Sequence, residues 1–160
     1  MPKTIYTAIR SIAIVCLILA FALSVAWATT YYTSKNIDGM GGAIVINSNA
    51  KVSIPEGALT NYLKEQNQDA VEITVEMNEM YDDEGHLNAL VFTFGPSGVY
   101  FDPPLELRLK RYYMLANYLL FDENGEALEY TTQGNGNLMT FYIPHFSKYS
   151  YDDYSYDCKK

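Results

Sequence analysis

The side chains able to do chemistry are few and scattered. Histidine occurs twice, at His86 and His145, and neither has a histidine or cysteine at the short spacings that build a zinc site. Asp82-Asp83-Glu84 and Asp122-Glu123-Asn124 resemble fragments of calcium loops, yet neither continues into spaced oxygen ligands ending in glutamate. Both read more simply as solvated turns, so neither a metal nor a cofactor is expected. The sequence has no phosphate-cradling glycine motif and no G-x-S-x-G elbow. Glu72, Glu76 and Glu79 read as the wet face of one strand and its exit rather than as a paired acid and base. Tyrosine is abundant, at 15 residues, and Tyr149, Tyr151, Tyr154 and Tyr156 cluster near the end. An exposed row of this kind would stack on sugars or dock a protein. Half-buried strand positions are the commoner place for tyrosine.

The elements that must carry these residues follow a period of two. The clearest strand is residues 71–78, where Val71, Ile73, Val75 and Met77 face one way and Glu72, Thr74, Glu76 and Asn78 the other. Further strands are expected at 43–47, 51–54, 87–94, 117–121, 126–132, 138–143 and 145–151, and in one segment of two parts, 99–101 and 105–110, that Asp102-Pro103-Pro104 interrupts. Residues 58–65 suit one or two helical turns. Gly95-Pro96-Ser97-Gly98 and the Asn124-Gly125 pair are turn signals. About eight or nine short strands with frequent turns argue for an all-β fold, an antiparallel β-sandwich.

The N-terminus has a different character. Lys3 and Arg10 precede an apolar run over residues 11–25, followed by Ala26-Trp27-Ala28. A charged start, an apolar stretch and an A-x-A site in that order mark a secretion signal, with cleavage expected between Ala28 and Thr29. Residues 11–28 also approach the length of an uncleaved membrane anchor. A lipid-attachment site is a weaker reading, because Cys16 lies in the middle of the run. The expected organisation is a signal peptide at 1–28, a flexible polar lead-in at 29–42, a β-sandwich at 43–151 and a polar tail at 152–160. Loss of the leader removes Lys3, Arg10 and Cys16 and takes the formal net charge from −8 to −10. An acidic surface of this size repels phosphate backbones and anionic lipid, which argues against nucleic acid as a partner and leaves membrane attachment to the N-terminal segment. Cys158 alone makes no internal disulfide. It offers a cross-link between two chains, although an ordinary exposed thiol is the simpler expectation.

Three segments carry a family likeness. They are Val52-Ser53-Ile54-Pro55-Glu56-Gly57-Ala58-Leu59, then Phe94-Gly95-Pro96-Ser97-Gly98-Val99-Tyr100-Phe101-Asp102-Pro103-Pro104-Leu105, then Pro144-His145-Phe146-Ser147-Lys148-Tyr149. In this order and rough spacing the chain resembles the ZU-five domain, the β-sandwich of ankyrins, netrin receptors and the zonula occludens scaffold, over about residues 41–151. The resemblance implies a protein-interaction or assembly module without a cofactor, and the chain departs from those relatives in standing alone. Some members of that superfamily cut themselves between Phe and Ser of a His-Phe-Ser motif, which here falls on His145, Phe146 and Ser147. The serine hydroxyl would attack the preceding carbonyl across a strained peptide bond, His145 would assist proton transfer, and water would open the ester. The plainer expectation is that Phe146 fills the core while His145 and Ser147 make ordinary hydrogen bonds.

These readings converge on an exported, non-catalytic interaction or structural module, in the periplasm, at the cell surface or outside the cell, with a protein partner. An autoproteolytic domain and a carbohydrate- or calcium-binding adhesin-like module are the alternatives.

Overall fold

Alternating apolar and polar residues build two facing sheets. The computed structural model describes residues 28–110, 113, 118–134 and 136–153. Among them ten strands occur: β1 (Ala28–Asp38), β2 (Gly42–Val45), β3 (Ala50–Ile54), β4 (Ala70–Tyr81), β5 (Leu87–Gly95), β6 (Tyr100–Lys110), β7 (Tyr118–Phe121), β8 (Tyr130–Gln133), β9 (Leu138–His145) and β10 (Lys148–Asp153). One helix, α1 (Thr60–Gln66), lies between β3 and β4 and ends on Asn67 in the left-handed conformation. The strands form two five-stranded sheets, in the orders β1-β4-β5-β10-β7 and β2-β3-β6-β9-β8. All pairs are antiparallel. The fold is therefore the expected all-β sandwich.

The core lies between the sheets and forms one apolar cluster. Ile73, Val75 and Met77 of β4 are fully buried, as are Val52 of β3, Leu105, Leu107 and Leu109 of β6, and Phe141 and Ile143 of β9. Each such side chain contributes about 1.5–3 kcal/mol through burial.

Four expectations change. Ala28, read as the end of the signal, and residues 29–38, read as part of a flexible lead-in, form an eleven-residue strand in unbroken register with β4. Its polar outer face concealed it, while Ile37 on the inner face is buried in the core. The Asp102-Pro103-Pro104 interruption lies inside one continuous strand, β6. Between the Tyr100–His145 and Leu105–Ile143 pairs, β6 advances five residues while β9 advances two, so a bulge takes up both prolines. Residues 126–132, read as one strand, pair only from Tyr130, with a lone bridge between Phe121 and Ala127 before it. Asp152 and Asp153, assigned to the tail, complete β10 opposite Leu119 and Tyr118.

Residues 1–27, which include Ala26 and the apolar run, lie outside the described residues, as do Tyr154, Tyr156 and Cys158. No helix among the described residues is long and apolar enough to cross a membrane.

Candidate functional site

The motif His145-Phe146-Ser147 is the link by which the chain passes from β9 in one sheet to β10 in the other. Its central residue is the anchor. The Phe146 ring stacks on Phe94 at 5.9 Å and meets Phe101 edge-on at 4.5 Å. The Phe146 N–H donates to Val99 O, and the Phe94 N–H donates to Ser147 O. Two of the three family-like segments thus converge on one aromatic cluster, with Gly95-Pro96 and Gly98 forming the turn above it and Pro104 in the β6 bulge. The remaining segment packs elsewhere. Gly57 donates its N–H to Gly39 O, and the backbone of Ile54 and Pro55 lies so close to Gly41 that no Cβ fits there.

Around this link lies a cleft of about 370 Å³. The β7–β8 loop contributes Glu123, whose carboxylate accepts the Ser147 hydroxyl at 2.6 Å. His145 lines the same cleft, but the hydrogen bond of its ring runs to Tyr149 rather than to Ser147. The ring sits between Tyr100, at 5.3 Å, and Tyr149, at 6.0 Å. The buried Tyr149 hydroxyl donates to the His145 carbonyl at 2.7 Å. Burial raises the Tyr149 phenol pKa, and the nearby Asp122 carboxylate raises it further. The Ser147 hydroxyl is therefore hydrogen-bonded to a carboxylate and not to the expected histidine. Serine 147 and Glu123 are 24 residues apart, and no local motif joins them.

The two acidic runs turn out to be the same loop built twice. Asp82 Oδ1 accepts N–H bonds from Glu84 and His86, and Asp122 Oδ1 accepts them from Asn124 and Glu126. Gly85 and Gly125 close each loop at φ near +80°, the conformation that favours glycine. The carboxylates are thus engaged by their own backbones. The His86 N–H, with help from that of Glu84, holds Asp82 below the usual carboxylate range. Burial pushes Asp122 up, but the N–H groups of Glu126 and Asn124 outweigh it and leave its pKa lowered. Among the described residues no three His, Cys, Asp or Glu side chains gather as a metal would require. His86 is exposed beside Asp82 and Glu84.

Glu79 departs from the expected wet face of its strand and is buried, at 3 % exposure. It continues the inward-facing series Val71, Ile73, Val75, Met77, so the parity of β4 already signalled its position. Tyr113 and Tyr81 both donate hydroxyl hydrogens to its two oxygens. Asn47 Nδ2 donates to Tyr113 Oη at 2.6 Å, and Asn47 Oδ1 accepts the N–H groups of Asn49 and Ala50. Burial raises the Tyr113 pKa, and its bond to Glu79 raises it further. Tyr149 and Tyr151 of the expected exposed row are core residues, so they offer no face to a sugar. Thr29 and Ala28, at the expected cleavage site, begin β1.

The remaining conspicuous feature is an edge. β1 ends its sheet, and no described strand pairs with its outer side. The other three sheet edges, β2, β7 and β8, are four residues each. Short edges are protected against strand addition, whereas a long, unbulged edge is a template for it. The outer face of β1 shows Thr30, Tyr32, Ser34 and Asn36, and its one cation, Lys35, reaches back to Ala43 O at 3.1 Å.

No protein-family model matches this chain, and no curated protein matches it.

Proposed function

We propose that this chain is an exported, non-catalytic module of the cell envelope, a ZU-five-like sandwich that binds a protein partner by adding a strand to the outer edge of β1. The carrying observation is that edge: eleven residues in continuous register with β4, free on the other side among the described strands. Backbone hydrogen bonds would supply the affinity, and side chains flanking Thr30, Tyr32 and Ser34 the selectivity. The placement of β1 directly after the apolar leader keeps the edge next to the point of export or anchoring.

Lysine on an edge strand blunts pairing. The Thr30→Lys, Ser34→Lys double variant should fold and be exported, yet migrate on native electrophoresis of envelope extracts as the free chain, where the parent migrates in a larger complex. An unchanged complex would remove the edge from the account.

A second reading rests on the Ser147–Glu123 hydrogen bond. A carboxylate at 2.6 Å is placed to take the serine proton while Oγ attacks the Phe146 carbonyl carbon and the peptide nitrogen leaves as the amine. Water would then hydrolyse the ester, with Phe146 as the new C-terminus. Intact mass spectrometry separates the readings. The non-catalytic module gives one species ending at Lys160, whereas self-cleavage gives a fragment ending at Phe146 that Ser147→Ala abolishes.

A further inference from the structure

The chain is acidic overall, with 19 Asp and Glu against 11 Lys and Arg. One cleft departs from this balance. It lies at one end of the outer face of the β2-β3-β6-β9-β8 sheet and measures about 410 Å³, within the range of pockets that hold small ligands or single peptide segments. Lys51, Arg108 and Lys110 line it, and no aspartate or glutamate does. Val45 and Leu138 form its apolar flanks, and Asn47 forms part of its wall.

The cations are placed against the ordinary logic of a sheet. Lys51 of β3 stands directly opposite Arg108 of β6, and like charges in that position destabilise the pair. Arg108 is partly compensated by its ion pair with Glu106. Lys51 and Lys110 form no ion pair among the described residues. The wall is fixed in advance, because Asn47 is held from behind by Tyr113 and by the N–H groups of Asn49 and Ala50. A preformed cationic cleft loses little ordering entropy when a ligand arrives.

We infer that this cleft binds an acidic peptide segment of a partner protein, lying extended over β6 with carboxylates two residues apart. Arg108 and Lys110 are themselves two residues apart on one face of β6. That spacing, roughly 6–7 Å, equals the separation of alternate side chains in an extended peptide. Lys51 adds a third charge beside the first carboxylate. Val45, 65 % exposed at the adjacent sheet edge, and Leu138 take up the aliphatic parts of glutamate side chains. The site is on the opposite sheet from β1, so it stands or falls independently of the strand-addition reading.

Calorimetric titration of the full-length chain with a synthetic peptide of alternating glutamate and serine tests this. The expected result is saturable binding that weakens as salt is raised, is absent for the glutamine–serine analogue, and falls at least tenfold in Lys51→Gln, Lys110→Gln. The Lys51→Arg, Lys110→Arg variant should retain it, and equal melting temperatures across the set show that folding is intact. Three results would each overturn the inference: no binding of the glutamate peptide, equal binding by the glutamine variant, or tighter binding of polygalacturonate or inorganic phosphate than of the peptide.

Discussion

Tyr113 donates its phenolic hydrogen to the buried carboxylate of Glu79, and so ties the segment after β6 to a strand of the opposite sheet. Tyr81 supplies the second donor to the same carboxylate. Glu79→Ala leaves both hydroxyls without this acceptor and should destabilise the fold by about 1–3 kcal/mol. Glu79→Gln keeps one accepting oxygen and should lose clearly less. Urea unfolding of the two variants beside the parent measures the difference, and equal losses would mean that the carboxylate only fills space.

The two buried phenols set a prediction at alkaline pH. Both Tyr113 and Tyr149 have pKa values raised by burial, against about 10 in an unfolded chain. Below that value both states hold the proton and nothing changes. Above it the unfolded chain releases protons that the folded chain keeps, so stability falls as pH rises, by at most about 1.4 kcal/mol per pH unit for each tyrosine. Denaturation midpoints followed from pH 8 to 11 should decline above pH 10, and less steeply in Tyr113→Phe than in the parent. A flat profile would contradict the burial of both hydroxyls.

Removal of residues 29–38 tests the status of β1. The strand contributes Ile37 to the core and pairs with β4 from Ala70 to Met80. The shortened chain should lose its cooperative unfolding transition. A shortened chain with an unchanged melting temperature would return this segment to the status of a dispensable lead-in.

The sandwich was legible in the sequence because its interior strands alternate cleanly. The 71–78 pattern predicted the inward face of β4 residue by residue, and it reached Glu79 by parity, although the charge of that side chain pointed outward. β1 was hidden for a physical reason. An edge strand needs only a partly apolar inner face, and Thr29, Thr33 and Lys35 alternate there with Tyr31 and Ile37. The prolines of β6 masked a strand whose bulge accommodates them. Of the candidate site, Phe146 was correctly placed in the core, and its serine makes the simple hydrogen bond that was the plainer expectation. The Glu123 partner was not legible, since it depends on how the β7–β8 loop folds over the link between the sheets.

The central claim is that the outer edge of β1 receives a partner strand, and site-specific photo-crosslinking in the native envelope tests it most directly. A photoreactive amino acid in place of Tyr32, which is 67 % exposed on that edge, should yield a discrete heavier adduct, and Thr30→Lys, Ser34→Lys should suppress it. Ser150 provides the control, because it lies in the same transverse row as Thr30 but on β10, between β5 and β7. The account predicts an adduct from position 32 and none from position 150; no adduct from position 32, or equal yields from both, would contradict it.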